Sequence, residues 1–170
     1  MSPSLFSYPN PVNEVAARVT AGGVVVLAVL AIALQLPWLA IALAAGFLMR
    51  VLSGPRFSPL ALLAGRVVVP LLGLKPKPVA GPPKRFAQAI GLTFSLTAVL
   101  LSYAFGLDTA AYGVLGALVV AAVLESVFGI CLGCKAFALL MRVGVIPPEV
   151  CESCNDIWAG RTPPLSSSPS

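Results

Sequence analysis

The sequence predicts an all-α, polytopic membrane protein with about four transmembrane helices and short interfacial helices. Composition is the first of three observations behind this: 58% of the 170 residues are hydrophobic and 10% are charged, and the mean hydropathy is +0.97. A soluble domain has about 45–50% apolar and about 25% charged residues. The second is the arrangement of the apolar residues in long runs without a charge. The third is the placement of the basic residues. Seven of the eleven, Arg50, Arg56, Arg66, Lys75, Lys77, Lys84 and Arg85, lie in one stretch between apolar runs, as a membrane flank requires and a nucleic-acid patch does not.

Residues 1–13 have neither the basic start nor the early apolar run of a secretory signal and are expected to be a retained polar tail. From Val19 to Met49 the chain carries no charge. As one helix that run would be about 46 Å long, against a hydrocarbon core of about 30 Å. A hairpin is therefore expected, with spans at 14–35 and 37–53, a turn at Pro37, and Arg18 and Arg50 reaching the same interface. The alternative is a single kinked, tilted helix. Ser58 and Pro59 are start signals for an interfacial helix over 58–70, limited by Pro70. The Pro- and Gly-rich stretch 75–83 reads as an extended linker.

Phe86 to Leu107 is again free of charge and forms the next span, 86–107. Its hydroxyls at Thr93, Ser95, Thr97, Ser102 and Tyr103 are expected to bond within the helix or to a neighbour, and Gly113 and Gly116 to mark close helix packing. After the turn at "FGLDTAAYG", the run from Thr109 to Met141 is too long for one span. Gly129 is the natural break, giving a span at 109–128 and an interfacial helix at 132–142. These elements make up a membrane domain over 14–143. A cysteine-containing segment over 144–158 follows, and 159–170 is a disordered tail by composition.

Cytoplasmic loops carry the excess of Lys and Arg. The loop from Arg50 to Arg85 is thus assigned to the cytoplasm, because the opposite loop near Asp108 has no basic residue. With the first hairpin, this makes a multi-pass protein of the cell membrane with both termini cytoplasmic and the lipid bilayer as its surroundings. A single first helix would move only the amino terminus.

The segments "ARVTAGGVVVLAVLA", "GPRFSPLALLAGRVVVPLLG", "GPPKRFAQAIG", "LESVFGICLGCK" and "GVIPPEVCESCNDI" resemble a mostly actinobacterial family of integral membrane proteins catalogued as domain of unknown function 4395. The resemblance covers about Pro11 to Ile157. It implies no established activity and no functional residues. It does imply a gene neighbourhood of thioredoxin-like proteins and sulfurtransferases, which are the protein partners it suggests.

The four cysteines form two CxxC pairs, "CLGC" at 131–134 and "CESC" at 151–154, with sixteen residues between them. A reducing cytoplasm disfavours a structural disulfide. The spacing suits an all-cysteine zinc site of Cys131, Cys134, Cys151 and Cys154, because the chain has no His. Zinc is the cofactor that the metal-site reading implies, and the exchange reading needs none. The competing reading is thiol exchange. With a break at Gly129, Cys131 would sit at a helix amino terminus near Lys135, where a thiolate is stabilised, and Cys134 would be the resolving thiol. Glu149 and Glu152 would make the second pair less reactive. The residues balance these readings evenly, and the neighbourhood implied by the resemblance tips toward a thiol-disulfide or sulfur relay.

Glu125 stands in an apolar segment, where a carboxylate needs a partner, a proton or water. It is a candidate proton acceptor beside the thiols, and otherwise a side chain reaching the interface or pairing with Arg66 or Arg50. On a continuous helix it would point about 180° from Cys134 and about 240° from Cys131, so cooperation with them requires the break at Gly129. A small sulfur-anion transporter is a further alternative. Nucleotide-dependent and hydrolytic classes lack their motifs, and the residues leave open whether the chain is an enzyme.

Overall fold

Asn13 begins the first helix, because its side-chain oxygen accepts the Val15 N–H at 3.0 Å and so satisfies one of the free donors at a helix start. The computed structural model describes residues 11–151, with the backbone alone for Pro148 and Cys151. The described residues form six helices: α1 (Glu14–Ala33), α2 (Trp38–Ser53), α3 (Pro59–Leu71), α4 (Gly81–Tyr103), α5 (Asp108–Phe128) and α6 (Leu132–Arg142). Four of them, α1, α2, α4 and α5, are long and apolar enough to cross a membrane. This is compatible with a multi-pass membrane protein.

The first apolar run is a hairpin. Helix α1 ends at Ala33, Gln35 adopts a left-handed φ of 52°, and Pro37 opens α2, where its fixed φ suits a helix start and its missing N–H costs nothing. Helix α1 packs on α5, α2 on α4, and α4 on α5. Small residues let these helices approach: Ala28, Ala31, Ser95 and Ala98 are fully buried. A Cβ on Gly91 would overlap the Phe47 ring. The outer faces carry Val26, Leu100 and Val120, each more than half exposed, the arrangement of helices surrounded by an apolar solvent.

Several expectations are corrected. Val12–Asn13 is not a free tail but a short strand, β1, paired antiparallel with β2 (Pro78–Val79) from the stretch read as a linker. Asn13 also accepts the Lys77 N–H at 3.2 Å, and the Lys77 carbonyl accepts the Glu14 N–H at 2.8 Å. The start of α1 and the approach to α4 are thereby fixed at one end of the bundle. Helix α4 begins at Gly81 rather than Phe86, with prolines in its first turn, which places Lys84 and Arg85 on the helix itself.

Helix α3 ends at Leu71, one residue past Pro70 and close to the expected limit. A π-helical turn over Ala64–Val68 precedes Pro70 and shifts the backbone ladder where the proline ring would meet the carbonyl four residues earlier. Ser58 is extended as a cap residue should be but makes no capping bond. Its buried Oγ has no hydrogen-bond partner. A Cβ on Gly113 or Gly116 would meet nothing within 4 Å, so neither marks a close helix contact within the chain. The hydroxyls of Thr93, Ser95 and Thr97 bond back to carbonyls of their own helix at 2.6–3.0 Å, and Ser102 donates to the Asp108 carboxylate.

Candidate functional site

Gly129 ends α5 in the left-handed region, at φ 68°, which glycine enters without a Cβ clash. Its N–H bonds to the Glu125 carbonyl at 3.1 Å. Arg18 finishes the helix from α1: its guanidinium donates to the Ser126 carbonyl at 3.2–3.3 Å and to the Val127 carbonyl at 2.9 Å. A cation at a helix carboxyl end is favourable for the helix dipole as well. The expected interfacial position of Arg18 is thus a helix cap.

Beyond this break Cys131 is the N-cap of α6. Its sulfur accepts the Cys134 N–H at 3.3 Å and the Cys134 thiol hydrogen, with the sulfurs 2.7 Å apart. Both cysteines are free thiols. Cys131 is buried and Cys134 partly so. The hydrogen bond from Cys134 holds the Cys131 thiol below the usual range, and the Lys84 charge and the Cys134 N–H act in the same direction against burial and Glu125. The same bond pushes Cys134 far above the usual range, and burial adds to that. One thiol is set to ionise and its neighbour to hold a proton, the division an attacking and a resolving cysteine need.

Helix α6 is held against α4 by a close approach and a ring pair. A Cβ on Gly133 would lie 2.6 Å from the Cα and Cβ of Ala87. Phe86 and Phe137 stack with centroids 5.6 Å apart, tilted at 58°. This docking places the thiols over the first turns of α4.

Glu125 faces this place, and its partner is Lys84: Nζ to Oε1 is 2.7 Å, with side-chain exposures of 8% and 16%. The pairing with Arg66 or Arg50 foreseen for Glu125 is replaced by this one. Arg50 is buried, with its guanidinium 4.3 Å over the Phe47 ring. The residue that sequence reasoning missed is Lys84, which had been placed in a basic loop. Lys135, the expected activating charge, is exposed, and the cation acting on Cys131 is Lys84.

A cavity of about 300 Å³ opens between the helices beside the thiols. Thr20, Arg50, Gln88, Glu125 and Cys131 border it, and the rest of its lining is mostly apolar. The Gln88 side-chain oxygen is buried without a hydrogen-bond partner among the described residues.

Cys154 and the side chain of Cys151 lie outside the described residues, as does the expected disordered tail, so the four-cysteine site is not seen as a unit. Among the described residues no group of three or more His, Cys, Asp or Glu side chains could hold a metal. No cofactor is evidenced.

A family model described as a domain of unknown function (DUF4395) matches residues 12–142. Neither the curated proteins nor the solved structures give a match to this chain.

Proposed function

The chain belongs to the family described as a domain of unknown function (DUF4395), a description that names no activity, and from its site we propose that it is an integral membrane protein relaying electrons by thiol-disulfide exchange through Cys131 and Cys134. The observation that carries this reading is the close approach of the Cys134 and Cys131 sulfurs, 2.7 Å apart, with Cys131 at a helix amino terminus. It lowers one thiol and raises the other, and it leaves the two sulfurs within a small side-chain rotation of bonding.

The exchange is balanced without further reagents. The Cys131 thiolate attacks one sulfur of a partner's disulfide; a mixed disulfide forms, and the partner's other sulfur leaves as a thiolate. Cys134 then loses its proton to that leaving thiolate or to Glu125 and attacks the Cys131 sulfur. The internal disulfide forms and the partner departs as a dithiol. Run in reverse, the same path loads the pair from a reduced partner. The Lys84 ammonium supports the Cys131 thiolate, and Glu125, paired with Lys84, opposes it. A thioredoxin-like protein or a sulfurtransferase is the partner class suited to this exchange.

The seven basic residues between Arg50 and Arg85 support a cytoplasmic position for this end of the bundle. The amino-terminal strand pairs at that same end, which supports an even number of crossings.

Alkylation kinetics of the reduced protein test the reading. Cys131 is expected to react as a single fast thiol whose rate rises with pH and levels off below the ordinary thiol pKa of about 8.5. Cys134 is expected to react more slowly, after Cys131. Stoichiometric zinc with uniform protection of all four cysteines until a chelator is added would replace this reading with a structural metal site.

A further inference from the structure

We propose that the cavity beside Cys131 is the binding site of a substituted quinone, a membrane-borne two-electron carrier that accepts electrons from the Cys131–Cys134 dithiol. The proposal rests on the relay reading and names its second substrate.

Placement and lining carry the inference. The cavity follows α5 from Ala117 to Glu125, a depth of about 12 Å at 1.5 Å per residue, so it runs from the thiols into the apolar part of the bundle. Its volume of about 300 Å³ lies at the lower end of the range of about 300–1,000 Å³ for small-ligand sites. Val24, Phe47, Phe94 and Leu118 are among its walls. A hydrophilic thiol or peptide entering there would lose its hydration without replacement. A quinone ring would not.

Thr20, Arg50, Gln88 and Glu125 are the polar residues at the border of the cavity. Gln88 has a buried side-chain oxygen with no hydrogen-bond partner among the described residues. A side-chain amide can donate to a quinone carbonyl and accept from a quinol hydroxyl, so it serves both redox states. Cys131 is only 8% exposed but borders the cavity, so its sulfur can meet a small occupant of the bundle.

The electrons and atoms balance. The Cys131 thiolate adds to a ring carbon, and the ring oxygen takes up a proton. The Cys134 sulfur then attacks the Cys131 sulfur and breaks the carbon–sulfur bond, whose electron pair stays on the ring. Two thiols and one quinone give one disulfide and one quinol; the dithiol is oxidised by two electrons, and its two protons end on the quinol. Glu125, at the cavity edge, can pass the second proton. A reduced partner protein restores the dithiol by the exchange already described.

The test uses the full-length reduced protein in lipid nanodiscs and a decyl-substituted benzoquinone whose ring is fully substituted, so that a thiol adduct is not the end product. Quinol absorbance and intact mass are followed. The expected result is one quinol formed and two thiols lost per chain, at Cys131 and Cys134. Ala121→Phe, which fills the cavity, should slow quinol formation on the order of 100-fold by displacing the ring from the sulfur. Gln88→Leu should raise the quinone concentration that half-saturates the single-turnover rate by about two- to tenfold, with the limiting rate nearly unchanged. Gln88→Leu changes no packing volume of note, so it remains informative if Ala121→Phe does not fold.

Persistence of both thiols, or oxidation at equal rates with equal half-saturating quinone concentration in wild type and Gln88→Leu, would overturn the proposal. A water-soluble small disulfide added to the wild type separates the two readings. If it closes the Cys131–Cys134 disulfide while the quinone does not, the quinone site alone is refuted. If it also fails, the relay itself is refuted.

Discussion

Lys84 and Glu125 show how two charges far apart in the chain set the chemistry of a third residue. Their side chains are 2.7 Å apart and mostly buried. Removing one partner from such a pair costs about 3–5 kcal/mol, because the other is left with an uncompensated charge. Lys84→Met is therefore expected to lower the melting temperature clearly, and Lys84→Met with Glu125→Gln to recover much of the loss. The two single variants should move the thiol in opposite directions. Lys84 favours and Glu125 opposes the Cys131 thiolate, so alkylation at pH 7 should slow in Lys84→Met and quicken in Glu125→Gln. Equal rates in both would show that the pair does not act on the thiol. The sequence marked Glu125 as a residue in need of a partner. It could not mark Lys84, because nothing local distinguishes that lysine from the other basic residues of the same stretch; only the packing of α4 against α5 does.

At the scale of elements, the break at Gly129 was legible, since a run from Thr109 to Met141 exceeds a span and glycine is the residue suited to a left-handed turn. The helix start at Cys131 follows from that break, whereas the start of α4 at Gly81 was less legible. Gly81, Pro82 and Pro83 read as a linker by composition, whereas prolines in a first turn are also a helix start. The pairing of Val12–Asn13 with Pro78–Val79 joins segments more than sixty residues apart and leaves no periodic signal in either. Docking of α6 depends on Gly133, whose Cβ would lie 2.6 Å from Ala87. Gly133→Val should push α6 from α4, withdraw Cys131 from Lys84 and slow its alkylation toward that of an ordinary thiol. Circular dichroism should keep nearly the same helix content, because the four long helices do not depend on this contact. An unchanged Cys131 rate in a folded Gly133→Val protein would separate thiol reactivity from α6 docking.

For the whole molecule, composition and charge-free runs made the all-α class and the four long apolar helices readable, because the bilayer leaves few alternatives for such a chain. The four-cysteine motif was equally visible as a pattern, yet Cys154 and the side chain of Cys151 fall outside the described residues, and the chemistry of the first half depends on tertiary neighbours. The proposed topology yields a direct expectation. In a cysteine-free background, Lys77→Cys and Gly160→Cys should each be labelled by an impermeant maleimide only when the cytoplasmic face is open. Labelling of either from outside intact cells would reverse the orientation.

The division of roles between the two thiols is the central claim for the molecule, and trapping of a mixed disulfide tests it most directly. The reduced protein and two variants, Cys131→Ser and Cys134→Ser, are reacted with a thioredoxin-like protein in its disulfide form, and intact mass is followed over time. Cys134→Ser is expected to accumulate a long-lived adduct through Cys131, because no thiol remains to resolve it. The unsubstituted protein should pass through the adduct briefly to the internal disulfide. Cys131→Ser should form none. An equally stable adduct in Cys131→Ser, or none in Cys134→Ser, would contradict the assignment of Cys131 as the attacking and Cys134 as the resolving thiol.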